Sequence, residues 1–525
     1  MVLKRIRFTF TMAAAVCLAW PAILAAAPTK ESIRASIERT MEEFGVPGMG
    51  VSVVHDGEVL YSDGHGIREV DKKKKVDENT LFQIASVSKA FTAASLAILA
   101  DEGKLDWDDP VIDFLPEFRM SDPWVTREFT VRDLLTHRSG LPLGAGDLLM
   151  FPPGDTKREE IIRAMRFLKP SSSFRSEYAY DNLLYIIAGE VVARVSGISF
   201  EEFLEQRLLF PIGMKDCRAT LDRAAKNANK ATPHVNFGGE LETTPSLESP
   251  LASAAGGINC SARSMAKWAQ FVLDKGVNGD GERLISEKQF AQLLKPVTLL
   301  SGGGYVTEHT GAFLNAYALG WGLSTFYGQP LLSHSGGLWG MTTFLVILPE
   351  QRVAVFVSNN LLSPAPRAIA FDILDQFLRD ASPDAGKDWV AIVSEATKAR
   401  LGSAADTVAE AAASRAADSK PSLPVDAYAG TYRDAWYGDI TITQREDGSL
   451  YFQSLRSKAL GGVLEHFQYD TFIARWDDRK LNADSYVSFT LSPEGSVERI
   501  RMKAVSPATD FSFDFHDLDL KRVAD

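Results

Sequence analysis

Apolar and polar positions recur with two different periods along this chain, and the switches between them mark out its regions. An apolar run over 8–24 comes first. Over 32–44 apolar side chains then return every three or four residues, which predicts an amphipathic helix that Gly45 stops. Gly48-Met49-Gly50-Val51-Ser52-Val53-Val54-His55 and Glu58-Val59-Leu60-Tyr61 follow as two β-rich stretches around Asp56-Gly57, a hairpin signal. His55 and His65 flank it and read as surface side chains. From Ala90 to about Val235 the pattern is mostly helical, broken by Pro, Gly and Asp. Strand character returns at 317–323, 329–334, 342–348 and 353–357, and a helix is expected over 365–379. β-rich stretches enclosing a helical middle predict an α+β fold: one antiparallel sheet built from distant segments, flanked by helices, with an inserted all-helical lobe.

Residues 389–417 are Ala-rich and charged with little β character, as in a helical linker. From 425 onward short β runs succeed one another, at 438–444, 449–455, 463–469, 471–476, 486–491, 497–504 and 511–515, with turns at Asp447-Gly448 and Pro493-Glu494-Gly495. That spacing predicts a small all-β barrel or sandwich. The expected organisation is a leader over 1–27, a sheet-and-helix domain over 28–385, a linker over 386–422 and a β domain over 423–525.

Composition narrows the function classes. With 56 Lys and Arg against 68 Asp and Glu, the net charge is −12, which argues against nucleic acid as a partner. Lys4, Arg5 and Arg7 ahead of the apolar run, with Ala25-Ala26-Ala27 after it, have the layout of a secretory signal. Export to the periplasm or the medium is expected. Pro28 leaves the cut site, and an uncleaved anchor, open. No later stretch is long and apolar enough to span a bilayer, so no stable membrane span is expected after cleavage. Cys217 and Cys260 could pair in an oxidising compartment, which sequence does not decide. No zinc spacing or HExxH occurs, so neither metal nor cofactor is expected.

The chemistry centres on Ser86-Val87-Ser88-Lys89. In a helix beginning near Ser86, residues three apart share a face, so the Ser86 hydroxyl meets the Lys89 amine. A buried lysine can take a serine's proton, and the N–H groups of a helix start can stabilise negative charge on a carbonyl oxygen. Tyr180-Asp181-Asn182 offers a phenol for proton relay and an amide to hold a substrate carbonyl. Ser333-His334-Ser335-Gly336-Gly337 leaves a strand with glycines that admit a substrate backbone, an N–H at Gly337 for an oxyanion, and an imidazole at His334. His137-Arg138-Ser139-Gly140 is a rival to the last, but it exits the helical 131–135 and is assigned a structural role.

Ser86-Val87-Ser88-Lys89, Tyr180-Asp181-Asn182 and His334-Ser335-Gly336 stand in the order and approximate spacing of the three motifs of serine β-lactamases and penicillin-binding proteins. Val46-Pro47-Gly48, Leu134 to Pro142, Ala254-Ala255-Gly256-Gly257 and His-Ser-Gly-Gly are similar to the class C β-lactamase-like hydrolases with their D-aminopeptidase and esterase relatives. Tyr428-Ala429-Gly430-Thr431-Tyr432 and the segment from Asp510 to Phe515 resemble the lipocalin-like domain appended to some peptidases of that group. The resemblance implies Ser86 as acylated nucleophile, Lys89 as general base, Tyr180 as proton relay, Asn182 as substrate-amide contact, and the N–H groups of Ser86 and Gly337 as oxyanion hole. His334, Ser335 and Gly336 complete the cleft. His334 departs from the lysine usual in penicillin-recognising members, which weakens carboxylate binding at that place. An exported peptidase for small linear peptides, D-residue-containing ones included, is therefore the first expectation. The group's peptidase for linearised microcystin is one such relative. A carboxylesterase, a β-lactamase or D-Ala-D-Ala carboxypeptidase, and a non-catalytic binder of peptides or cell-wall fragments are the alternatives. Assembly as a homo-oligomer is left open.

Overall fold

The computed structural model describes residues 27–524 except 73, 227, 247 and 248. The expected leader, Ala27 apart, lies outside the described residues. A nine-stranded antiparallel sheet organises the first domain. In spatial order its strands are Lys74–Lys75, Glu58–Glu69, Gly48–His55, Val353–Asn359, Met341–Leu348, Gln329–Leu338, Gly322–Phe326, Ala316–Tyr317 and Thr298–Leu299. The Asp56-Gly57 hairpin forms as its turn residues predict, and Val51 and Val53 pair with Val357 and Val355 from far along the chain.

Side chains alternate across each strand, and both faces are covered. Val51, Val53, Val346, Val355 and Val357 pack under the helices Lys30–Phe44 and Ala365–Leu378. Leu345, Ile347, Ala354 and Phe356 face the helical lobe instead. There the helix Ser88–Asp101 is buried on nearly all sides, as a helix without a polar face must be. No single described helix is long and apolar enough to cross a membrane. Cys217 and Cys260 form a disulfide, with Cα atoms 4.5 Å apart. It fastens the short strand Asn259–Cys260, which pairs with Phe82–Gln83 just ahead of Ser86.

The helix Trp389–Ala413 begins against the sheet domain, where Trp389 packs on Phe371 and Phe326 and donates its indole N–H to Asp375. Beyond it eight strands close a barrel: Gly430–Asp434, Gly438–Gln444, Leu450–Ser454, Gly461–Gln468, Thr471–Trp476, Ser485–Leu491, Val497–Ala504 and Leu520–Arg522.

Several expectations need correction. The strand expected over 317–323 is two short ones, broken where Gly320 turns with φ 79° against the backbone of Lys89 and Ala90. A Cβ there would meet Lys89 O at 2.8 Å, so the break lets the sheet edge touch the catalytic-motif helix. The helix expected over 131–135 is a single 3-10 turn, Asp133–Leu135. The strand expected over 511–515 is absent. Its residues instead leave the barrel and enter the cleft of the first domain, and Leu520–Arg522 closes the barrel in their place.

Candidate active site

The local chain around Ser86 is bent before it is helical. Ala85–Val87 form a 3-10 turn and the α-helix proper starts at Ser88. Ala85 sits at φ 46°, a left-handed conformation that disfavours an L-residue by about 1 kcal/mol. Three contacts hold it there. Ile84 N–H donates to Ile258 O at 2.9 Å, Thr343 Oγ1 donates to Ile84 O at 2.8 Å, and Gly336 admits the turn. A Cβ on Gly336 would lie 2.4 Å from both Ile84 O and Thr343 Oγ1. Gly336 thus turns the face where a Cβ would stand toward the nucleophile turn, and it is not among the residues lining the cavity. Gly337 is exposed and a Cβ there would meet nothing, so the strand is open to the cleft at that residue, as it is at exposed Ser335.

Lys89 is fully buried. Its Nζ lies 3.1 Å from Ser86 Oγ, 2.7 Å from Asn182 Oδ1 and 2.8 Å from Ala255 O. Burial lowers the amine's pKa to about 7, against the opposing pull of Asp147 and Asp181. Half-deprotonated near neutrality, it can accept a hydroxyl proton. Asn182 occupies the N-cap position of the helix Leu183–Ser196, yet its side chain makes no capping bond. It turns inward, accepting from Lys89 and donating to Asp147 Oδ2 at 2.8 Å.

The Tyr180 ring centroid is 4.7 Å from Lys89 Nζ. Its hydroxyl is buried beside that of Ser86 without a well-aligned hydrogen bond among the described residues. Burial drives that phenol well above its usual pKa, with the Ser86 hydroxyl beside it working the other way. It is therefore protonated and poised to donate. His334 stands on the far side, its ring 6.5 Å from that of Tyr180. The ring N–H at Nδ1 donates to Ser335 O at 2.7 Å, which leaves Nε2 to accept from Tyr317 OH at 2.8 Å. Burial first, then the Lys89 charge, lowers its pKa to about 3, so it is neutral.

Ser86, Lys89, Tyr180, Asn182, His334, Ser335 and Gly337 thus converge on one cleft, whose cavity measures about 420 Å³. Residues that sequence reasoning missed complete it. Tyr317 holds His334. His137 has the structural place expected of it: its ring centroid lies 4.2 Å from that of Tyr180 and it accepts from Asp181 N–H at 3.1 Å, bracing the Tyr-x-Asn segment. Arg367 brings a permanent cation to the wall, 5.3 Å from the Phe344 ring. Phe511, from the barrel, meets the Tyr180 ring edge-on at 5.8 Å. Ser512 donates to Asp147 Oδ2 at 2.9 Å, and Asp514 accepts from the N–H groups of Gly146 and Leu148 at 2.7 and 2.9 Å. No group of three or more His, Cys, Asp or Glu among the described residues could hold a metal ion.

Comparison with known proteins bears on both parts of the chain. A family model described as β-lactamase matches residues 33–377, and one described as a domain of unknown function, DUF3471, matches 414–522. Unguisins hydrolase ungD' of Aspergillus campestris is 27% identical over 90% of this chain and 89% of its own length. Protein flp of Staphylococcus aureus is 25% identical over 64% of each chain. Among solved structures, the octameric penicillin-binding protein homologue from Pyrococcus abyssi has a TM-score of 0.59 at 21% identity, covering 94% of this chain and 99% of that one.

Proposed function

The chain belongs to the β-lactamase family, and from that premise we propose that it is an exported serine peptidase that cleaves small linear peptides through an acyl-enzyme at Ser86. One observation carries the reading: a lysine amine with a pKa near 7 sits 3.1 Å from the hydroxyl of a serine that lines the cleft. Lys89 takes the proton as Ser86 Oγ attacks the substrate carbonyl. The N–H groups of Ser86 and Gly337 receive the oxyanion. Tyr180 passes its proton to the departing amine and takes in exchange the one Lys89 accepted from Ser86, so Lys89 is neutral again when it deprotonates the water that releases the acyl group, and that proton returns to Ser86 Oγ. His334, neutral and bound to Tyr317, aligns the wall of the cleft near the relay.

Two features favour a short peptide. The cavity has the size of small-molecule sites. The barrel segment carrying Phe511 narrows it. The relative named for hydrolysing unguisins extends over the barrel as well as the sheet domain, which supports a hydrolase of this two-part layout. Arg367 supplies the positive charge that neutral His334 lacks, so an anionic end of the substrate is directed to Arg367. Arg367→Gln is expected to raise KM for peptides with a free carboxylate and leave amidated ones unaffected. The Cys217–Cys260 disulfide agrees with an oxidising compartment and so with export.

Purified protein assayed on ester, amide, D-residue and L-residue panels tests the reading. Release of amines from short peptides is expected. Ester turnover without amide turnover makes the protein an esterase, and rapid opening of a chromogenic cephalosporin makes it a β-lactamase.

A further inference from the structure

We infer that Asp147 is the residue that points the Asn182 amide at Lys89, and that Ser512, delivered by the barrel, holds Asp147 in place. The inference rests on Ser86 and Lys89 being nucleophile and base, and it adds the layer behind them. An asparagine amide has an acceptor end and a donor end, and packing alone barely distinguishes them. Asp147 does. Its Oδ2 accepts from Asn182 Nδ2 at 2.8 Å, which leaves Asn182 Oδ1 facing Lys89 Nζ at 2.7 Å. The same Oδ2 accepts from the Ser512 hydroxyl at 2.9 Å.

The consequence falls on the amine. Neutral Lys89 carries two N–H bonds and one lone pair. The oxygens of Asn182 and Ala255 take the two hydrogens, so the lone pair is left for the Ser86 hydroxyl. With the amide reversed, two N–H donors would face the amine, one of its hydrogens would swing toward Ser86, and the base would become a donor. Asp147 itself is placed at an unfavourable position. It is buried, it makes no ion pair among the described residues, and its Oδ1 has no partner. Burial first, then the charge of Asp181, pushes its carboxyl well above the usual range, and in either protonation state Oδ2 can accept. A side chain there for shape alone would not need an acceptor shared between Asn182 and a barrel hydroxyl.

The test follows the rate at which a fluorophosphonate probe labels Ser86 in the full-length protein, together with the melting temperature, for wild type, Asp147→Ala, Asp147→Asn and Ser512→Ala. Asp147→Ala is expected to slow labelling about 10- to 100-fold, the scale on which misplacing a reacting group acts. Asp147→Asn keeps an acceptor oxygen at the same place and is expected to recover most of that loss. Ser512→Ala is expected between them. Wild-type labelling rates in Asp147→Ala, or no recovery in a folded Asp147→Asn, overturn the inference. If Asp147→Ala does not melt cooperatively, a folded Ser512→Ala labelling at the wild-type rate overturns it. Wild-type protein that takes no label at Ser86 sinks the underlying reading of the site instead.

Discussion

A lysine ringed by two carbonyl oxygens and one hydroxyl, out of reach of water, holds its proton far less tightly than a lysine in solvent. The rate kcat/KM on an amide substrate is therefore expected to climb as pH rises through about 7, where Lys89 loses its proton. Ser86→Ala is expected to abolish turnover and Lys89→Ala to come close, because the pair acts as a unit. His334→Ala is expected to cost less, about 10²-fold for a group acting in proton transfer, and an unchanged rate would make His334 architectural. Stability carries the same signature. The unfolded lysine binds a proton up to its ordinary pKa of 10.5, the folded one only up to about 7, so the unfolded state holds more protons in that window. Resistance to urea at constant temperature should rise with pH between these values, and less steeply in Lys89→Met. Asp181, raised to about 7 chiefly by burial, contributes the opposite slope below that pH, where the folded state holds the extra proton. Ser86 and Lys89 were legible because helical spacing is local. Tyr317 was not, since it meets His334 across the intervening strand Gly322–Phe326, and no pattern along the chain marks that encounter.

At the scale of elements, close approach decides which segments are possible. Gly336→Ala is expected to displace the Ile84 to Ser86 turn and cost about 1–3 kcal/mol along with activity, measurable by denaturation and by Ser86 labelling. The segment from Asp510 to Asp514 shows how a period-two pattern misleads. Asp-Phe-Ser-Phe-Asp alternates as an edge strand does, yet here Phe513 N–H donates to Asp510 O in a turn and each side chain after Asp510 finds its own partner in the first domain. Phe511 reaches Tyr180, Ser512 reaches Asp147, and Phe513 packs on Phe151 with rings 5.1 Å apart. Its backbone is not in the barrel ladder, because Leu520–Arg522 has taken that place. Asp514→Ala removes the acceptor of two buried N–H groups, each costing about 1–3 kcal/mol when left unpaired, and a lower melting temperature is the expected reading. The hairpin, the strands over 341–348 and 353–359 and most barrel strands were legible, since each buries a side-chain face that its own sequence displays.

For the whole molecule the barrel and the sheet domain meet as one working unit. Gly144 and Gly154 are each approached so closely by barrel backbone, Phe511 O and Arg456 O, that a Cβ would lie 2.8 and 2.5 Å away. Arg456 also bonds Thr156 and Glu160. Deleting 414–525 strips acceptors from Gly146 and Leu148 and the donor from Asp147, so the shortened protein is expected to label poorly at Ser86 and to expose apolar surface to a dye such as ANS. Wild-type labelling in that deletion would separate the two parts. Sequence could announce both folds but not their seam, which is made of single residues from loops. The seam also sets a clock. Ser512 lies 365 positions after its partner Asp147, and at typical elongation rates of about 5–20 residues per second a ribosome needs roughly 20 to 70 s to travel between them. Until then the nascent protein carries its serine and lysine without the Ser512 hydroxyl on Asp147, so the full set of contacts behind Lys89 is assembled last.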